Sequence, residues 1–226
     1  LTPAEAGTLV DERADILDIT STIVDLAVRG YLRIEETEST KFYFFTDRDY
    51  RLLKTKEPGP GELKPHEEKI FSGIFKGREK VLVSDLRDKF YTELPPIKKA
   101  LYGELVGKKY FPADPEKVKG IYKWIGIIIL ILAFVLFSNF LLKVSIALSG
   151  LIILISSRYM PRKTREGTLL NEELLGFREF IDRAEKDRIE ALAKDDPTLF
   201  DRVLPFALVF GLEDKWADAF RDMYRE

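Results

Sequence analysis

The chain has 226 residues, with 36 Lys and Arg against 38 Asp and Glu, a formal net charge of −2, no cysteine and a single histidine, His66. Absence of cysteine excludes disulfides and thiolate zinc sites, and one histidine excludes His-based triads and multi-histidine metal centres. Near-balanced charge gives no reason to expect a nucleic-acid-binding protein, since no part is strongly basic: residues 1–57 carry 8 basic and 12 acidic side chains, 58–113 carry 11 and 8, and 158–226 carry 13 and 16.

The first ten residues, LTPAEAGTLV, lack the basic and apolar regions of a signal peptide. A chain opening on Leu is read as a piece of a longer protein or a processed one. Thr2-Pro3-Ala4-Glu5 is a capping box with proline at the first helical position, so a helix is predicted from there to about Asp11. A second, Asp15 to Arg29, carries Ile16, Ile19, Ile23, Leu26 and Ala27 on one face and stops at a left-handed Gly30. Alternation over Tyr31–Glu35 reads as a half-buried strand, with Lys41–Phe45 as its hairpin partner. Two helices followed by a ribbon is the order of a winged helix.

Residues 54–65, KTKEPGPGELKP, read as a linker. His66, next to Pro65 at a helix start, is taken as a surface residue. After the linker the grammar repeats: a helix over Glu67–Phe75, a strand at Val81–Val83, a short helix capped by Ser84, and a longer one from Pro95/Pro96 to about Gly107. Ile97, Ala100, Leu101 and Leu105 line its core face, and Tyr110-Phe111 would start a wing. The helix ends LAVRGYLRI (26–34) and LVGKKYF (105–111) are alike, a weak internal repeat. Two winged-helix-like modules, 1–57 and 58–116, are expected.

A winged helix invites a test for DNA. The helix around Asp18–Arg29 offers Asp18, Asp25 and one arginine, which would repel phosphate. The helix from Pro96 to Lys109 carries Lys98, Lys99, Lys108 and Lys109, without the Arg, Asn or Gln set that reads base edges. Its nearness to an apolar stretch explains those lysines equally well through anionic lipid. Protein or lipid contact is expected ahead of nucleic acid.

Residues 121–157 form that stretch, in which Lys123 and Lys143 are the only charges. One continuous helix would be roughly 55 Å long at about 1.5 Å per residue, well over a hydrocarbon core of about 30 Å. Ser138-Asn139 is the natural break, giving a transmembrane hairpin with arms Tyr122–Phe137 and Phe140–Ser157 and Lys143 snorkelling near its outer end. The alternative is one span, Trp124–Leu142, followed by an interfacial helix over Val144–Ser157. Lys117, Lys119 and Lys123 precede the stretch and Arg158, Arg162, Lys163 and Arg165 follow it. Both ends therefore look cytoplasmic, which favours an even number of crossings. Gly126 and the set Ser145, Ser149 and Gly150 would let the arms approach closely, or simply reflect transmembrane composition. The seven flanking cations, with Lys98, Lys99, Lys108 and Lys109, are the candidate contacts for lipid headgroups or another polyanion.

Residues 158–226 read as a helical tail: a long amphipathic helix over Leu169–Lys194, an apolar one over Pro197–Gly211, and a last one over Glu213–Tyr224 with Trp216 and Phe220. Its aromatic end either packs into a common core or rests on the inner leaflet with Trp216 at headgroup level. Glu172, Glu173 and Asp182, the carboxylates an enzyme would use here, are explained by solvation of a charged helix.

Four segments, DLAVRGYLRIEE (25–36), MPRKTREG (160–167), GFREFIDRAE (176–185) and LPFALVFGLEDKWADAF (204–220), make the chain resemble the DUF2207 family of predicted bacterial and archaeal membrane proteins. Lys163-Thr164 stands where Arg-Thr is expected, a mild departure. The resemblance implies a C-terminal region that in longer members follows a β-rich outer domain and a transmembrane helix. It implies no biochemical activity. The expectation is therefore an α-rich α+β chain with two winged-helix-like modules, a hairpin and a cytoplasmic tail. Such a protein would be non-enzymatic and cofactor-free, with the bilayer and an unidentified protein as partners; membrane-tethered nucleic-acid binding is the alternative.

Overall fold

In a computed structural model, residues 1–40, 46–86, 90–136, 138–183 and 186–221 are described, those at 38–40, 46–48, 186–188, 190 and 221 by backbone alone. The chain divides into two units, residues 1–104 with 171–226, and residues 105–170.

The first unit is built around α1 (Pro3–Asp11), whose residues from Pro3 to Leu9 are all buried. The expected capping box forms: the Thr2 hydroxyl accepts from the Glu5 N–H at 3.4 Å, and the Glu5 carboxylate accepts from the Thr2 N–H at 2.8 Å. Small residues make this helix a hub. A Cβ on Gly7 would lie 2.3 Å from the Val209 Cγ2 and 2.4 Å from the Asp18 Oδ1, so only glycine admits both neighbours as they stand.

Helix α2 (Ile16–Val28) starts at Asp15, which forms a capping box with Asp18. It ends where Gly30, at φ +78°, turns the chain and Tyr31 N–H donates to the Leu26 carbonyl. Ile19 and Leu26 are buried as expected, but Ile16, at the first turn, is 70% exposed. Strand β1 (Leu32–Thr40) pairs antiparallel with β2 (Thr46–Lys54), Ile34 opposite Leu52. Lys41–Phe45, the expected partner strand, lies outside the described residues. Asp-Arg-Asp-Tyr-Arg at 47–51 hides β2 from a hydrophobicity reading, because pairing and the buried Leu52 define it rather than an apolar face.

The expected linker is strapped down. Thr55 and Lys56 N–H groups donate to the Tyr31 carbonyl, the Tyr31 hydroxyl donates to Glu62 at 3.1 Å, and Leu63 is buried. Helix α3 (Pro65–Phe75) leads to β3 (Lys80–Leu82), which pairs antiparallel with β2, giving the sheet order β1-β2-β3. Then come α4 (Val83–Leu86), a 3-10 turn at Phe90–Thr92 and α5 (Leu94–Gly107). Ile19, Leu26, Leu32 and Leu52 share one core cluster with Ile70, Phe71, Ile74, Val81 and Ile97, so residues from both expected modules bury one another.

No wing begins at Tyr110-Phe111, where the chain bends. Lys109 at φ +61° caps α5, with Tyr110 N–H donating to the Leu105 carbonyl, and Pro112 follows without an N–H to give a ladder.

After the hairpin, the long helix expected over 169–194 is assigned as α8 (Arg165–Arg183) and α9 (Lys186–Asp195), with 184–185 outside the described residues. Helix α10 (Leu199–Val209) packs on α2 and α1 within the first unit, and α11 (Glu213–Arg221) turns back after Gly211 at φ +68°. Phe177 meets Phe206 and Phe210 edge-on at 5.6 and 6.4 Å. Trp216 is 0% exposed, its indole N–H donates to the Phe200 carbonyl at 3.2 Å, and Phe220 lies 4.9 Å from its ring. Of the two readings of this end, the common core is the one with contacts behind it.

The second unit holds α6 (Pro115–Leu136) and α7 (Phe140–Ser156), broken where expected, with Asn139 accepting the Leu142 N–H at 3.3 Å as the cap of α7. A 3-10 turn at Ser157–Tyr159 ends it. Gly126, Ala133 and Gly150 are the buried residues between the two long helices. A Cβ on Gly126 would stand 2.9 Å from the Leu154 N and 3.0 Å from the Gly150 O. Ser145 and Ser149 are exposed and donate to carbonyls of their own helix, so the glycines make the close approach and the serines do not. Gly126→Ala should lower resistance to unfolding in detergent by about 1–3 kcal/mol, the usual cost of overpacking, read from a denaturant titration of the intact chain.

Candidate functional site

The base of the hairpin gathers most of the expected cations. Asp114 opens α6 by accepting from the Glu116 and Lys117 N–H groups at 2.9 and 3.3 Å. The chain entering α6 and the chain leaving α7 are stapled together by Thr164. Its N–H donates to the Tyr110 carbonyl at 3.0 Å, its hydroxyl donates to the Lys109 carbonyl at 2.5 Å, and that hydroxyl accepts from the Gly167 N–H at 3.0 Å. Gly167 is required there, since a Cβ would lie 2.2 Å from the Tyr110 carbonyl oxygen. Phe111, Pro115, Ser157 and Pro161 are buried around the staple.

Lys108, Lys109, Lys117, Lys119, Lys123, Arg158, Arg162, Lys163 and Arg165 all belong to this second unit, against the carboxylates Asp114, Glu116 and Glu166 in 105–124 and 157–170. Lys119 and Lys163 are half-buried and the other seven exposed. Lys98 and Lys99 belong to the first unit, on α5, the former half-buried. Tyr122, Trp124 and Tyr159 stand beside the cations, Trp124 65% and Tyr159 79% exposed. Sequence reasoning placed the cations and overlooked these aromatics, although Trp and Tyr beside a charged helix end are a membrane-interface signal. At the other end, the half-buried Lys143 places its ammonium 5.7 Å from the Phe134 ring centroid, a cation resting on the opposite arm.

The first unit carries a second group of polar residues, and here the reading of His66 needs correction. His66 is fully buried: its Nδ1 is 2.8 Å from a Glu104 oxygen and its Nε2 3.3 Å from the Thr2 hydroxyl. Glu5, also fully buried, accepts from Lys64 Nζ at 2.6 Å, and Glu67 takes Arg29 at 2.8 Å, which also holds Asp25 at 3.0 Å. Pro65 suggested an exposed helix start, but α1 and α5 cover that turn, a long-range event invisible to local pattern. Each of these groups has a partner, as buried polar atoms require.

Asp18 is the outlier. Only 2% exposed, it accepts from the Asp15 N–H at 2.7 Å beside a cavity of about 180 Å³ lined by Asp11, Asp15, Arg178 and Val209 among others. Burial, reinforced by nearby Asp15 and Asp11, pushes its carboxyl up to about 8. Asp25 is also raised, chiefly by burial, with Arg29 opposing. At neutral pH Asp18 is therefore mostly a neutral acid in a helix junction. Among the described residues no group of three or more His, Cys, Asp or Glu is arranged to hold a metal ion.

Two helical stretches, Pro115–Leu136 and Phe140–Tyr159 (α7 with its 3-10 turn), of 22 and 20 residues and mean hydropathy 2.0 and 2.1, are long and apolar enough to cross a bilayer by length and composition. The chain belongs to the DUF2207 family: the family model described as "Predicted membrane protein (DUF2207) C-terminal domain" matches residues 1–220. No curated protein and no solved structure matches it.

Proposed function

We propose that this is a non-enzymatic, membrane-anchored interaction protein. Its hairpin crosses the bilayer twice, both flanking regions are cytoplasmic, and the first unit engages a protein partner. One observation carries the topology: the first unit is assembled from segments on both sides of the hairpin, residues 1–104 and 171–226, with α10 against α2 and α1. Segments that share a core lie on one side of a membrane, and only an even number of crossings allows that. The excess of Lys and Arg at the hairpin base supports the cytoplasm as that side. Of the winged-helix-like modules 1–57 and 58–116, the parts up to residue 104 act in this reading as one body, since β3 of the second extends the β1–β2 hairpin of the first.

The apolar parts of the arms are short for a double crossing. From Trp124 to Leu136 is about 20 Å and from Phe140 to Ser156 about 26 Å at 1.5 Å per residue. Local thinning and the snorkelling of Lys143 close the gap to about 30 Å. A non-enzymatic role is supported by the buried, doubly hydrogen-bonded state of the only histidine. The nucleic-acid alternative would rest on Lys98, Lys99, Lys108 and Lys109; α2 is packed against α10, and its Asp25 and the cap residue Arg29 are held by each other and Glu67.

Single cysteines at Thr55, Asn139 and Thr198 test the topology without background, the native chain having no cysteine. An impermeant maleimide on intact cells should label position 139 alone. Labelling at 198 but not at 55 would mean one crossing and would separate α10 from α2. A salt-sensitive shift of duplex DNA by the intact protein would favour the nucleic-acid alternative.

A further inference from the structure

We propose that the hairpin base is a binding collar for anionic phospholipid headgroups; this deepens, and rests on, the membrane reading above. The charge pattern is sharply divided. Between residues 125 and 156 Lys143 is the only charge, whereas 105–124 and 157–170 together hold nine Lys and Arg against three carboxylates. The Thr164 staple to Lys109 and Tyr110 joins the two chain ends within one unit, so cations from both arms stand at the same end.

Six of them, Lys109, Lys117, Lys123, Arg158, Arg162 and Arg165, are exposed and come from five successive pieces of backbone: the α5 cap, α6, the turn after α7, the following extended segment and the start of α8. At about 100° per residue, Lys117 and Lys123 point to different sides of α6, which makes a ring rather than a stripe. Their separation along the helix is about 9 Å, close to the depth of one headgroup layer, about 5–8 Å. Among them stand the exposed Tyr122 and Tyr159, with Trp124 one residue to the apolar side of Lys123, amphipathic rings of the kind that favour the hydrocarbon boundary. Ile128 and Ile131, 50% and 56% exposed on the same helix, need hydrocarbon around them. A collar continuous with that surface is held in the headgroup layer, where the phosphates offered to it are those of lipid. Zwitterionic headgroups have no net charge to match six surplus cations; anionic ones do.

The test uses the full chain reconstituted into vesicles of phosphatidylcholine alone and of phosphatidylcholine with phosphatidylglycerol. Insertion is read by flotation of the protein with the vesicles, and retained lipid by native mass spectrometry after extraction. The expected result is insertion into both, with phosphatidylglycerol retained about five- to tenfold over its share of the bilayer, the order that one near-surface Lys or Arg per headgroup produces. Added inorganic phosphate should not displace it. The combined variant Lys117→Gln, Lys123→Gln, Arg158→Gln and Arg162→Gln should insert equally and lose the enrichment. Insertion without enrichment, or enrichment indifferent to the variant, overturns the collar and leaves the membrane reading standing. Failure to insert in either vesicle overturns both. Duplex DNA binding abolished by the variant, with no lipid enrichment, would assign the cations to nucleic acid and also overturn it.

Discussion

Trp216→Ala should destabilise the intact protein by about 3–5 kcal/mol, among the larger losses a single core truncation brings. The side chain is fully buried, its indole N–H donates to the Phe200 carbonyl, and Phe220 packs on it while meeting Phe200 at 5.0 Å. Truncation removes the transfer energy, opens a cavity among rings that cannot collapse freely, and removes the indole donor to the Phe200 carbonyl. Trp216→Phe should cost less, because most of the volume stays and only the hydrogen bond and part of the ring are lost. Urea unfolding followed by far-UV circular dichroism measures both. A loss below about 1 kcal/mol, well short of the core-truncation range, accompanied by weaker vesicle association, would instead favour the alternative in which this helix lies on the leaflet.

The second large effect is a pH dependence set by Asp18. Its folded-state carboxyl titrates at about 8 against an ordinary value of 3.8, chiefly because burial disfavours the charge. A raised folded value means that the folded state holds a proton the unfolded chain has already released. The stabilisation is thus fully present below about pH 4, declines as pH rises, and is gone above about 8. At its steepest the slope is about 1.4 kcal/mol per pH unit. Asp18→Asn keeps an oxygen for the Asp15 N–H, removes the ionisation, and should flatten this component. At pH 8 it should make the variant more stable than the parent by the order of 3 kcal/mol. Denaturant midpoints from pH 5 to 9, taken in parallel for both proteins, decide it. Parallel curves would mean that Asp18 is ionised in the fold and compensated by a neighbour such as Arg178, which shares its cavity.

Much of the local structure was legible in the residues. The Thr2–Glu5 capping box, the Gly30 stop and the Asn139 break each depend on neighbours a few positions away, and all three form. Strand β2 was not legible, since its charged residues acquire strand geometry from β1 and β3 on either side rather than from any alternation of their own. Tyr110-Phe111 looked like a strand because an aromatic pair after a helix often is one. Here the helix cap and Thr164 had already taken the backbone groups a ladder needs.

What the sequence determined by itself is the division of this chain into a hairpin with nearly uncharged arms and a charged remainder. That information is compositional and survives without coordinates: a long apolar run needs lipid, and cations at both of its ends need a headgroup layer or water. Only the tertiary structure decided which polar groups are buried. His66, Glu5, Asp18 and Trp216 carry no local sign that α1, α5, α10 and Phe200 will close over them. Burial is a property of surfaces brought together across 59 residues between Glu5 and Lys64, or 38 between His66 and Glu104, and the electrostatics of a group follow its burial.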